Sequence, residues 1–158
     1  MVARALLFGT GTRSRRSLSV VAGAFVAASL LVAVSPGPIR TAGRYPIWAG
    51  LVAAGLASAW DAGRHRGGLL AGWGGAFLGT LWGFVVPPLV ALVRGDAIGD
   101  GGYAVPRPSA AALDPRAELL TGLGIGPVVA LAVALTLGSA AFALGALLRR
   151  RSGASERT

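Results

Sequence analysis

The chain has no cysteine, and its 158 residues also include no lysine, asparagine or glutamine. Without thiols there is no disulfide staple and no thiolate metal site. A single histidine, His65, leaves a histidine-built metal site or a Ser-His-Asp arrangement without supporting residues. Acids are scarce as well: six, against fifteen basic residues that are all arginine, for a formal charge of +9. An arginine-only composition rich in Ala and Gly is what a high-GC genome writes. Charged residues make up only 13% of the chain and apolar residues 54%. The charges sit in short stretches between long apolar blocks, which is the pattern of a polytopic membrane protein. Because the arginines flank those blocks and are not gathered on one patch, the positive charge argues for membrane topology and against nucleic acid.

A helix needs about 20 apolar residues to cross the ~30 Å hydrocarbon core. Four blocks qualify, so the expected fold is an all-α, polytopic transmembrane bundle forming one domain of four spans: about 18–34, 45–60, 68–93 and 128–148. The second is short and opens on the interfacial aromatics of YPIW. The third carries Pro87 and Pro88, which remove two backbone donors and predict a kink. In the fourth block, GLGIGP at 122–127 reads as a break, preceded by a short interfacial piece starting at Asp114-Pro115. Asp at an N-cap with Pro at the first helical position is a helix-start signal.

Arginine placement predicts orientation. The tail 1–17, the loop after the second span and the tail 149–158 hold ten arginines, and the other two loops hold five. The outer loop 94–118 carries most of the acids: Asp96, Asp100, Asp114 and Glu118. The positive-inside rule places both termini in the cytoplasm of a multi-pass plasma-membrane protein. The stretch Ser14-Arg15-Arg16-Ser17-Leu18 resembles the start of a twin-arginine export signal. Pro36 behind the small residues Ala33 and Ser35, the length of the apolar run and the three further spans favour a retained signal anchor.

The stretch GGLLAGWGGAFLGTLWGFVVPP holds seven glycines. At ~100° per residue, Gly68, Gly72, Gly75, Gly79 and Gly83 fall within roughly an 80° arc, with Trp82 beside them and Leu70, Trp73, Phe77, Leu81 and Phe84 mostly opposite. Small-xxx-small faces let membrane helices approach closely. Ala130, Ala134, Gly138, Ala141 and Gly145 share one face of the fourth span, and Ala49, Ala53 and Ala57 one face of the second. The glycine face is therefore expected to pack against these small faces within the chain, ahead of a homo-oligomer contact or a glycine-lined passage.

Chemistry is sparse. The four span cores hold no ionisable residue, and Ser29, Ser58, Thr80, Thr136 and Ser139 are expected to bond their own helix carbonyls. Asp61, Arg64, His65 and Arg66 form a polar turn between the second and third spans, read as a solvated loop that sets topology or else as a gate or headgroup site. Asp96 and Asp100 lack the alternation of an EF-hand, and GxGxG at 122–126 follows no strand, so it is not a nucleotide loop. The run Arg149-Arg150-Arg151 fits anionic headgroups. No catalytic residue, metal or cofactor is expected.

The GRHRGG turn and the striped AGWGGAFLGTLWG helix, within residues 60–86, resemble small uncharacterised glycine-rich four-span membrane proteins of high-GC prokaryotes, haloarchaea included. The resemblance implies a habitat and supplies no known catalytic residues to carry over. The function expected from the sequence is a non-enzymatic structural or accessory membrane component acting through helix–helix association. Its expected partners are the lipid bilayer and either itself or another membrane protein. The alternative is a small oligomeric transporter or channel for a solute.

Overall fold

The computed structural model describes residues 13–95 and 114–155. The start of the basic tail (1–12), residues 96–113 with Asp96 and Asp100, and the last three residues lie outside the described residues. The described chain is all-helical, with no strand: α1 Arg13–Val34, α2 Gly37–Arg64, α3 Leu69–Arg94, α4 Pro115–Val133, a π-helical segment Ala134–Gly138, and α5 Ser139–Ser155. The last three follow one another without interruption and make one rod. Two stretches, Leu69–Arg94 and Pro115–Arg151, are long and apolar enough to cross a membrane, and Ser19–Val34 is a shorter apolar helix.

Helices α1, α2, α3 and the α4–α5 rod alternate in direction, each antiparallel to the one before it. Trp82 of α3 reaches Ser29 of α1, Trp48 of α2 reaches Thr80 of α3, and Trp73 of α3 reaches Ser139 at the start of α5. One end of the bundle therefore collects the end of α1, the starts of α2 and α4, and the end of α3. The opposite end collects the α2–α3 turn and the end of α5. Helix α3 touches every other helix, whereas among the described residues α1 packs only on α2 and α3.

Local sequence accounts for most boundaries. The Asp114 carboxylate accepts the backbone N–H groups of Arg116 and Ala117, with Pro115 at the first helical position, satisfying two orphan donors of a helix start. Gly95 ends α3 in the left-handed region (φ 67°), where a residue without Cβ is unstrained. The α2 stop is different. Arg66 adopts φ 56° and Gly67 N–H donates to the Ala62 carbonyl at 2.7 Å, a left-handed helix stop with arginine where glycine is usual.

Several boundaries differ from expectation. Helix α1 begins within the basic tail and α5 runs on past the Arg149–Arg151 cluster. Helix α2 starts at 37, not 45, because Pro46 is accommodated inside it. The expected break at 122–127 is absent: α4 runs unbroken from Pro115 through Pro127. The reason is packing. A Cβ on Gly122 would strike the Phe84 carbonyl of α3, and one on Gly126 would lie 2.8 Å from Phe84 Cβ. These glycines cost helix propensity, about 1 kcal/mol each relative to Ala, but they let α4 lie directly on α3. The Phe84 carbonyl is also the one left without its helical donor by Pro88. The α4 backbone thus covers the defect, and α3 continues through both prolines.

The π segment has a geometric role. Gly122, Gly126, Ala130, Ala134 and Gly138 are all buried and four residues apart. In an α-helix that spacing drifts by about 40° per step, so a long run of it winds off the neighbouring helix. A wider π turn takes back part of the drift. Gly138 therefore still faces Trp73 and Ala76 of α3.

Candidate functional site: the glycine seam and the polar ends

The glycine face of α3 meets α2. A Cβ placed on Gly72 would lie 2.9 Å from Ala59 Cα, and one on Gly83 would lie 2.6 Å from Trp48 Nε1. At Gly75 an added Cβ would strike the Ser58 hydroxyl, and at Gly79 the Leu51 carbonyl. The contact is reciprocal, since Gly55 of α2 lies against the Gly75 carbonyl. Gly68 is the buried N-cap of α3 and carries no side-chain cap. Backbone-to-backbone approach of this kind brings Cα–H groups onto carbonyl oxygens and maximises van der Waals contact.

The small face of α2 is not the expected one. Ala49, Ala53 and Ala57 are exposed, and the residues that meet α3 are Leu51, Gly55, Ser58, Ala59 and Trp48. The rod divides its small face between two neighbours. Ala130, Ala134 and Gly138 are buried, with Gly138 against Trp73 and Ala76 of α3. Gly145 lies against the Trp60 carbonyl of α2, while Gly63 of α2 lies against the Phe142 carbonyl. Ala141 is half-buried.

Tryptophans supply cross-links that the sequence pattern did not reveal. Trp48 Nε1 donates to the Thr80 carbonyl, Trp82 Nε1 to Ser29 Oγ and Trp73 Nε1 to Ser139 Oγ, each at 3.0 Å. Ser29, Thr80 and Thr136 do bond the carbonyl four residues earlier, and Ser58 bonds that of Gly55. Ser29 therefore acts twice, donating within α1 and accepting from α3. A buried indole generally finds such an acceptor, and a serine within an apolar helix is the signal that could have predicted one.

Arginines from neighbouring helices close two helix ends. Arg94 Nη1 donates to the Ala33 carbonyl, and to Ser35 O at 3.4 Å, at the end of α1. Arg149 Nη1 donates to the Gly63 carbonyl at 2.6 Å in the last turn of α2. A cation at a helix C-terminus satisfies orphan carbonyls and opposes the negative end of the dipole.

In the polar turn, His65 Nδ1 stands 2.9 Å from Asp61 Oδ1, an ion pair when the imidazole is protonated. The Arg64 guanidinium lies over the Trp60 ring, 5.0 Å from its centroid. Arg64, Arg66, Arg150 and Arg151 are exposed, and Arg149 is half-buried through its bond to Gly63. Asp61 and His65 thus pair, Arg64 lies on Trp60, and Arg66 shares their turn, with Arg149 of α5 bonded to Gly63 beside them.

Glu118, which the sequence places at the end of the outer loop 94–118, stands elsewhere in the structure. It belongs to the first turn of α4, not to a loop, and is 0% exposed. It lies one turn from Gly122, the residue seated on Phe84. By that register it stands level with Pro88 and Ala91 of α3, both buried.

Geometry therefore defines an all-helical bundle of antiparallel helices with a glycine-built centre. Comparison with protein-family models, with curated proteins and with solved structures finds no match.

Proposed function

We propose that the chain is a non-enzymatic integral protein of the plasma membrane, with four spans and both termini in the cytoplasm. In this reading it serves as a structural or accessory component through helix–helix association. The observation that carries it is an inverted distribution of side chains. The centre is built of small residues and indoles, while Val20, Val26, Leu30, Leu89, Val93, Leu123, Val128, Leu131 and Leu144 stand on the outside at 42–78% exposure. A water-soluble bundle buries such residues; helices in lipid gain little by doing so and associate through small faces instead. The glycine seam is occupied inside the chain, so association with another protein uses the outer faces of α1 or the α4–α5 rod.

The lack of native cysteine makes the test free of background. Single cysteines replacing Arg116 and Arg151 should respond differently to an impermeant maleimide. The first is expected to label in intact cells and the second only after lysis, with both proteins resisting alkaline carbonate extraction. Carbonate release or reversed labelling would overturn the reading.

A second reading, a small oligomeric transporter, draws support from Glu118, since intramembrane carboxylates commonly mark ion or proton pathways. Flux into liposomes across a panel of solutes, compared with Glu118→Gln, separates it from the first. A strictly monomeric protein by native mass spectrometry would count against both association and a pore.

A further inference from the structure

We infer that the end of the bundle formed by the α2–α3 turn and α5 is a binding site for the phosphate of anionic phospholipid headgroups, with Arg64, Arg66 and Arg150 as its ligands. The inference rests on the membrane reading above. It begins with Arg66, whose φ of 56° puts a non-glycine residue in the left-handed region. That conformation costs a residue with a Cβ roughly 1–2 kcal/mol, and glycine avoids the cost. Gly67 and Gly68 follow immediately, yet the left-handed position itself is not glycine. Among the described residues the Arg66 side chain makes no hydrogen bond, and it is exposed. The left-handed stop closes α2 whichever residue occupies it, and glycine would do so without the cost, so an arginine kept at this position points to a role for its side chain.

Depth and charge identify the ligand. Trp60 is half-buried one turn before the end of α2, and Arg64 lies over its ring, the arrangement of an aromatic at the headgroup level with an arginine reaching outward. Arg149 pins the end of α5 to Gly63, which brings exposed Arg150 and Arg151 to the same end as Arg64 and Arg66. The acid in this turn, Asp61, faces His65 at 2.9 Å and leaves the arginines outside that pair. Guanidinium groups match phosphate oxygens in bidentate geometry. Arg149 itself is a positioning residue here, since its guanidinium already holds a helix end.

The test uses the full chain in vesicles of phosphatidylcholine containing brominated phosphatidylglycerol, read by quenching of tryptophan fluorescence. The wild-type annulus should enrich the anionic lipid at least about fivefold, the equivalent of one arginine contact near the surface. Arg64→Gln with Arg66→Gln and Arg150→Gln should abolish the enrichment. Arg66→Gly is the decisive variant: its melting temperature should be unchanged or higher, because strain is relieved, while enrichment falls. Arg149→Gln should do the reverse, lowering the melting temperature while retaining the preference. Equal enrichment in wild type and the triple variant would overturn the inference, as would loss of enrichment in the presence of ionic-strength-matched inorganic phosphate, which would make the ligand a free anion. So would an Arg66→Gly protein that melts lower and keeps its preference. Failure of the membrane reading appears separately, as protein that does not float with vesicles after carbonate treatment.

Discussion

The α2–α3 interface and the docking of α1 on the same pair join helices by opposite means. In the first, glycine faces backbone: Gly75 and Gly79 of α3 lie on Gly55, Ser58 and Leu51 of α2, with no room for a methyl group. In the second, side chains carry the contact. Val32 of α1 packs with Leu51, Trp82 and Val86, and Ala24, Phe25 and Ala28 line the same cluster. Trp82 and Arg94 then add hydrogen bonds to Ser29, Ala33 and Ser35. A backbone seam is sensitive to added volume at every position, because backbone cannot rotate away. A side-chain interface is sensitive to removed volume at a few positions and tolerant elsewhere. The two regions should therefore fail under different substitutions.

The largest effect is expected from Gly79→Leu. Its Cβ alone would meet the Leu51 carbonyl and lie 3.1 Å from Val52 N, and the remainder of the side chain adds to the overlap. Overpacking typically costs 1–3 kcal/mol, and here the obstacle is rigid, so the upper end or outright misassembly is expected. Size-exclusion profile and melting temperature in detergent measure it. Gly124→Leu is the matched control, because a Cβ at Gly124 meets nothing within 4 Å; it should behave as wild type. Two equally damaged variants would break the comparison, since the seam would then be no tighter than the outer face of α4.

Next is Trp82→Phe, which attacks the α1 docking. Trp82 is 0% exposed, so the smaller ring leaves a void, and the bond to Ser29 is lost. Ser29 keeps its bond to Phe25 O at 2.7 Å, which prevents an orphaned hydroxyl. A cost of about 1–3 kcal/mol is expected. It should be localised: limited proteolysis is predicted to release α1 while the α2–α3 pair stays protected. Loss of protection throughout would show that α1 is integral to one cooperative unit.

The sequence made some of this legible and hid the rest for definable reasons. Apolar blocks bounded by arginine and the Asp114-Pro115 helix start carry local signals. The choice of face on α2 does not. Ala49, Ala53 and Ala57 have the same spacing virtues as Gly55 and Ala59, and only tertiary packing decides that the alanines face outward. GLGIGP looked like a break because propensity counts glycine as a cost, whereas contact with Phe84 turns Gly122 and Gly126 into an asset. Glu118 looked like a loop residue because it follows a stretch rich in Gly, Pro and Ala. Its burial arises from helices distant in sequence. The indole bonds of Trp48, Trp73 and Trp82 span 32 to 66 residues, beyond the reach of any local pattern.

The smallest effect is expected from Arg94→Ala, which tests whether the two interfaces are energetically separate. Arg94 is exposed and bonds the terminal carbonyls of α1. Such a cation contributes about 0.3–1 kcal/mol at a helix end, and the effect is confined to the last turn. The substitution should therefore accelerate hydrogen exchange of the Ser35 amide, which donates to the Leu31 carbonyl at 3.0 Å, by about two- to fivefold. Amides of the seam, such as those flanking Leu51 and Gly79, should be unaffected. Residues 33–35 are where a signal-type cut would fall, so the same variant should also leave that segment more open to protease. If seam amides accelerate in step with Ser35, the α1 end and the glycine seam open together. The contrast between side-chain docking and backbone packing would then describe geometry without describing stability.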